Sequence, residues 1–215
     1  MALSTAEPYP ARLEVDYPEQ LDRVSTALRI FWAIPILIIA ALISAVGSST
    51  AATESGETAT QAAGGIAGGL FLATVLMILF RQKYPRWWFD WNLELLRFSN
   101  RVGVYLALMD DRYPSTDDHQ AVHLEYPYPD VERDLNRWLP LVKWLLAIPH
   151  SIVLVFLWLA ALVAVIIAWF AILITGTYPR GLFDFVEGVF RWSNRVTAYA
   201  VTLVTDQYPP FRLGA

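Results

Sequence analysis

Apolar and charged positions are sharply segregated along the chain. Ile30 to Val46 and Gly64 to Phe80 carry no charge. Each lies near the lower end of the roughly 17–25 residues that cross a bilayer as a helix, so the pattern predicts spans at about 30–46 and 64–80. Between them, Gly47 to Ala63 is rich in Ser, Thr and Ala, with Glu54, Glu57 and no basic residue, and reads as a flexible external loop. A longer run, Trp144 to Tyr178, is uncharged apart from the ionisable His150. It is too long for one ordinary span and reads as a tight hairpin over about 144–177, turning near Leu157–Leu162. All 16 Lys and Arg lie before Ile30, between Arg81 and Lys143, or after Tyr178. Under the positive-inside rule this predicts a multi-pass protein of the cell (inner) membrane with both termini cytoplasmic. Met1 to Pro10 has no basic n-region and no apolar core, so no secretory signal is expected.

Polar segments show two other periods. Leu13, Val15 and Tyr17 alternate with Arg12, Glu14 and Asp16, which predicts a short half-buried strand, and Ala121 to Tyr126 gives a counterpart. From about 86 to 109, Trp91, Leu95, Phe98, Val102, Tyr105 and Met109 follow a 4-3 spacing. From about 181 to 204, Phe185, Val189, Trp192, Val196, Tyr199 and Leu203 do the same, each predicting an amphipathic helix. Asp90, Glu94, Arg97 and Arg101 share another face of the first, as do Asp184, Arg191 and Arg195 of the second.

These matches belong to a longer internal duplication. Leu13-Glu14 recurs as Leu124-Glu125, and Tyr17-Pro18-Glu19 as Tyr128-Pro129-Asp130. Ala33-Ile34-Pro35 recurs as Ala147-Ile148-Pro149, and Tyr84-Pro85-Arg86 as Tyr178-Pro179-Arg180. Arg97, Ser99-Asn100-Arg101-Val102 and Tyr105 match Arg191, Ser193-Asn194-Arg195-Val196 and Tyr199. Residues 9–115 and 121–212 are thus expected as two tandem copies in one orientation. The predicted fold class is an all-α polytopic membrane protein. Each copy would comprise a short strand, a transmembrane helical hairpin and a long cytoplasmic amphipathic helix. Asn100 and Asn194 lie off both helix faces and are placed to bond across the copies.

Ala-Ile-Pro before an apolar stretch, Tyr-Pro-Arg, Arg-x-Ser-Asn-Arg-Val-x-x-Tyr and the closing Asp-x-Tyr-Pro-Pro-Phe together resemble the prokaryotic membrane proteins grouped as domain-of-unknown-function family 4389. The resemblance runs from Tyr9 to Leu213 in two copies. The closing motif is intact at Asp206–Phe211 and degraded to Asp111-Arg112-Tyr113-Pro114-Ser115 in the first copy. It implies the membrane fold and no activity, cofactor or catalytic residue.

Composition narrows the function classes. The 215 residues are 56% hydrophobic and 17% charged, with nine Trp and a mean hydropathy of +0.40, which argues against disorder and against an ordinary soluble domain. Zero Cys removes disulfides, thiolate metal sites and a Cys nucleophile. A net charge of −4 argues against a dedicated nucleic-acid binder. No phosphate loop, zinc-protease helix, nucleophile elbow or dinucleotide fingerprint occurs. No cofactor, metal or catalytic residue is expected; His119 and His123 with Asp117 and Asp118 read as a solvated loop.

The candidate lipid- or partner-binding residues are Asp90, Arg97, Asn100, Arg101, Tyr105, Asp184, Arg191, Asn194, Arg195 and Tyr199. Their charges either pair at i,i+3 and i,i+4 on a solvated helix face, or their arginines hold lipid phosphates or an acidic partner surface. Trp87, Trp88, Trp91 and Trp192 sit where an aromatic belt is expected. Gly64, Gly65, Gly68 and Gly69 form small-xxx-small pairs suited to close helix packing. The expected function is a non-enzymatic accessory or scaffolding protein that binds lipid headgroups or docks on a larger membrane complex. A small transporter or channel built from the two hairpins, as a homo-oligomer, is the alternative, and a lipid-acting enzyme a remote one. Expected partners are membrane lipids, other membrane subunits or further copies of the chain.

Overall fold

The computed structural model describes residues 9–45, 48–52, 58–62, 66–116, 118 and 120–214. The chain opens with β1 (Arg12–Val15) and enters α1 (Arg23–Ala45), which carries Pro35 within it. The strands β2 (Ser48–Ala52) and β3 (Thr58–Ala62) pair antiparallel where a flexible loop was expected. Next come α2 (Ile66–Leu76), a π-helical turn Met77–Arg81, and α3 (Arg86–Leu106). The second half follows with β4 (Val122–Glu125), α4 (Val131–Asp134), α5 (Pro140–Leu146), α6 (Ile148–Thr175) and α7 (Arg180–Ala200).

Alternation along β1 and β4 has its physical outlet in a small two-stranded sheet. The two strands pair antiparallel with Leu13 opposite Leu124, Arg12 opposite Glu125 and Val15 opposite Val122. Leu13, Val15, Val122 and Leu124 face inward and are buried. The sheet lies against the two amphipathic helices in a crossed manner: α7 of the second half packs on β1 of the first, and α3 of the first half on β4 of the second. Both helices end in the same way. The chain turns through buried leucines in the left-handed conformation, Leu108 (φ 63°) and Leu203 (φ 57°), a backbone region that L residues adopt at a cost.

The uncharged run around Leu157 is not a hairpin. It forms one continuous helix, α6, of 28 residues. Between Pro149 and Gly176 there is no Gly or Pro to turn the chain. A turn in so apolar a stretch would strip backbone groups of their partners, whereas a helix pairs them internally. The helix stops at Gly176, whose φ of 78° is the left-handed cap and whose N–H reaches Ile172 O at 2.7 Å. At 1.5 Å per residue its length is roughly 42 Å, ample for the roughly 30 Å hydrocarbon core with tilt.

Among the described residues, α6 is the one helix long and apolar enough to cross a membrane. The expected fold class is therefore corrected. In place of two transmembrane hairpins, the described residues form seven α-helices, the small β1–β4 sheet and the β2–β3 pair. The span expected at 64–80 yields only α2 and its π-helical turn. The first expected span lies in α1, which begins at Arg23 and buries Arg29. The cytoplasmic placement of both termini depended on the hairpin and goes with it. One face of α6, marked by Leu154, Ala161, Ala164, Ala168 and Ile172, is buried in the bundle, and the small alanines let neighbours approach. The opposite face, including Phe156, Leu159, Val163, Ile167 and Phe170, is exposed.

Candidate binding site

Three sets of contacts organise the interior between α3, α7 and the strands. In the first, arginines of each amphipathic helix hold the strand that begins the other half. Arg97 Nε donates to Leu124 O at 3.0 Å while its Nη1 meets Glu94 at 2.5 Å. Arg191 Nε donates to Leu13 O at 3.1 Å while its Nη2 meets Glu187 at 2.5 Å. Glu187 also accepts from Val15 N at 3.1 Å.

In the second, one turn further along, an arginine takes up the segment that follows its helix. Arg101 Nη1 donates to Ser115 O at 2.8 Å and Thr116 O at 3.1 Å. Arg195 donates to Arg212 O at 3.1 Å and to Gly214 O. Burial, reinforced by Arg212 and Arg191, holds the Arg195 guanidinium down at about 10, so it stays charged at neutral pH.

The third set clamps the helix entries. Arg29 pairs with Asp111, donates to Tyr105 O at 2.8 Å and Asp110 O at 2.7 Å, and lies over the Tyr105 ring at 4.5 Å. Lys143 pairs with Asp206 at 2.6 Å, donates to Thr205 O at 2.8 Å and lies over the Tyr199 ring at 5.1 Å. Each aspartate also caps a backbone amide at a helix entry, Asp22 N at 2.6 Å and Asn136 N at 2.5 Å. Burial lowers the Lys143 pKa, and Asp206 opposes that shift. Sequence reasoning missed these two clamps. The available signal was that Arg29 and Lys143 each precede Ala-Ile-Pro by four residues, and each aspartate precedes Tyr-Pro by two.

The arginines expected to face lipid headgroups are thus largely turned inward. Arg101 and Arg195 are buried and bonded to the chain's own carbonyls, and Arg97 and Arg191 are partly so. A guanidinium has five donors in a fixed fork, and buried carbonyls outside regular structure need donors, so the polar face is consumed by the fold. Tyr105 and Tyr199 are the aromatic beds of the clamps. Asn100 and Asn194 meet across the α3–α7 contact. Asp90 and Asp184 remain exposed, Asp184 near Arg180 at 3.6 Å.

Two polar clefts remain beside the arginines. Tyr9, Arg12, Glu14, Arg191 and Arg195 line a cavity of about 260 Å³. Arg97, Arg101, Gln120, His123 and Glu125 line one of about 540 Å³. Acidic and basic groups alternate around both, and no cluster of three or more metal-ligating side chains occurs among the described residues. His123 meets Asp16 at 3.0 Å, while Asp117 and His119 lie outside the described residues.

Two further expectations change. Trp192 is buried, its indole donating to His150 Nδ1 at 3.1 Å, and so leaves the expected belt. Trp87 and Trp91 are exposed, and Trp88 donates to Thr74 Oγ1 at 3.0 Å. Among the described residues, nothing lies within 4 Å of where a Cβ at Gly69 would sit. Gly68 lies on α2, and Gly64 and Gly65 fall outside the described residues.

No curated protein and no solved structure matches the chain. The DUF4389 family model, a domain of unknown function, matches the second half of the chain once, at residues 138–212, which span α5, α6, α7 and the closing Tyr-Pro-Pro-Phe segment.

Proposed function

We propose that this is a non-enzymatic, membrane-associated protein that works by binding, with α6 and the exposed apolar residues of α1 and α5 lying against lipid. One observation carries the reading: only 22% of the most apolar stretch of α6 is buried. The core helix of a soluble protein with that hydropathy would be covered on all sides, and contiguous apolar surface of this extent marks a membrane or protein contact. Ile30, Phe31 and Trp32 of α1 and Trp144, Leu145 and Leu146 of α5 add to the exposed apolar surface. Binding rather than chemistry is supported by the polar side chains of the interior, whose hydrogen bonds go largely to the chain's own backbone. The transporter alternative rested on two hairpins lining a path, and the continuity of α6 removes that support.

We also read residues 9–115 and 121–212 as two copies of one unit, with the second the closer match to the family. Support comes from contacts that recur at the positions paired by the sequence: Arg29–Asp111 with Lys143–Asp206, and Arg97–Leu124 with Arg191–Leu13. Tyr17 Oη donates to Tyr178 O, and Tyr128 Oη to Tyr84 O, each at 2.5 Å. In this reading the chain is a fused pair whose platform of α3, α7 and the sheet presents a partner-docking surface beside the bilayer.

Flotation of the purified chain with phosphatidylcholine vesicles tests membrane association. Co-migration that resists high salt and alkaline carbonate is expected; a chain left at the bottom of the gradient contradicts it.

A further inference from the structure

A groove of about 320 Å³ opens between α1, α6 and the end of α3, walled by Ile30, Leu108, Val165 and Trp169 among others. Its size falls at the lower end of ligand pockets, which run from about 300 to 1,000 Å³. Two of the residues that line it are polar, buried and incompletely bonded. Thr26 is 1% exposed and Arg29 2%, and among the described residues neither Thr26 Oγ1 nor Arg29 Nε has a hydrogen-bond partner. Leaving such groups unpaired in a folded chain costs free energy, and both can donate. The other donors nearby are occupied: Trp169 Nε1 bonds Thr26 O at 3.1 Å, and the remaining Arg29 nitrogens bond Tyr105 O, Asp110 O and Asp111.

We propose that this groove holds one acyl chain of a membrane glycerolipid, with the ester carbonyl at the Thr26 hydroxyl and Arg29 Nε. The apolar walls run into the exposed surface of α1 and α6, where Ile30 and Ile166 face outward, so an acyl chain enters from the lipid side. A neutral acceptor suits the donors, because Asp111 already balances the Arg29 charge and a second buried anion would carry its own desolvation cost. This selects an ester over a free carboxylate. The inference rests on the membrane reading above.

The test uses the full chain purified in mild detergent after reconstitution with palmitoyl-oleoyl-phosphatidylcholine, with retained lipid read by native mass spectrometry and flotation measured in parallel. Wild type is expected to retain about one diacyl lipid per chain. Val165→Trp, which fills the groove, and Thr26→Val, which removes a donor at constant shape, are expected to retain several-fold less while floating normally. A purely structural Thr26 predicts no change in retained lipid, because its hydroxyl bonds none of the described residues. Flotation without retained lipid, or equal retention in wild type and both variants, overturns the groove and leaves the membrane reading standing. Palmitate displacing the diacyl lipid at equal concentration overturns the ester assignment. Failure of wild type to float removes the membrane reading, and the lipid site with it.

Discussion

Asn100 and Asn194 exchange side-chain hydrogen bonds across the α3–α7 contact: each Nδ2 donates to the other's Oδ1, at 3.0 and 2.7 Å. Each Nδ2 also donates back to its own helix, at Leu96 O and Phe190 O, and Tyr126 Oη donates to Asn194 O at 2.9 Å. The pair is buried and its donors are satisfied, so it sets the register of the two helices. Asn100→Leu or Asn194→Leu alone should cost about 1–3 kcal/mol, because each removes both bonds across the pair while the remaining amide stays buried. The double variant should cost less than the sum of the two. A double-mutant cycle on unfolding midpoints measures that coupling.

Lys143 and Asp206 differ in burial, 0% and 21% exposed at the side chain, and the asymmetry fixes an order of damage. Asp206→Ala strands a buried ammonium, for which breaking an ion pair costs about 3–5 kcal/mol. Lys143→Met leaves an aspartate that reaches solvent and should cost clearly less. The same order is expected for Asp111→Ala against Arg29→Met, where the exposures are 27% and 3%. Chemical unfolding of the four variants reads it.

At Gly188 the chain after Phe211 comes within contact of α7: an added Cβ would lie 2.9 Å from Leu213 Cβ and 3.2 Å from its carbonyl oxygen. Gly188→Ala should push that segment away, breaking the 3.3 Å bond from Arg191 to Leu213 O. Overpacking of this kind costs typically 1–3 kcal/mol. Faster proteolysis within residues 206–214, with the remaining core intact, is the expected readout.

Alkaline pH should destabilise the fold. Burial raises the phenol pKa of Tyr9, Tyr84, Tyr126 and Tyr178 above the usual 10. Above pH 10 the unfolded chain loses those protons while the native state keeps them, so stability falls as pH rises, by at most about 1.4 kcal/mol per pH unit and phenol. Lys143 and Arg195, lowered by burial, act in the opposite sense. With Tyr105 and Tyr199 raised as well, six phenols stand against two cations and the net slope is downward. Unfolding midpoints between pH 8 and 11 check it: flat to about 9.5, then falling.

Period and spacing made the local elements legible. Alternation at Leu13 and Val15 located β1, and the 4-3 apolar stripe located α3 and α7 within a few residues. The matched spacing also pointed to Asn100 meeting Asn194. Other features lay beyond one-dimensional signals. Hydropathy cannot separate one long helix from two short ones when no Gly or Pro intervenes, so from sequence alone the α6 run reads as a hairpin. An amphipathic stripe says which residues segregate and not what covers the polar side. Arg101 and Arg195 therefore read as headgroup ligands, although carbonyls 14 to 19 residues downstream take them up. The left-handed turns at Leu108 and Leu203 carry no glycine and left no trace in the sequence.

The central claim is that the outer face of α6 meets lipid. The chain contains no Cys, so single cysteines can be placed at Phe156, Val163 and Ile167, which are exposed, and at Ala164, which is buried. Spin labels on each, in the chain reconstituted into phosphatidylcholine vesicles, report collisions with oxygen, which concentrates in the bilayer, and with a water-soluble nickel chelate. The account predicts high oxygen and low nickel accessibility at the three outer positions, and low accessibility to both at Ala164. Nickel accessibility at Phe156, Val163 and Ile167 matching that of an exposed polar site such as Asp184 would contradict it.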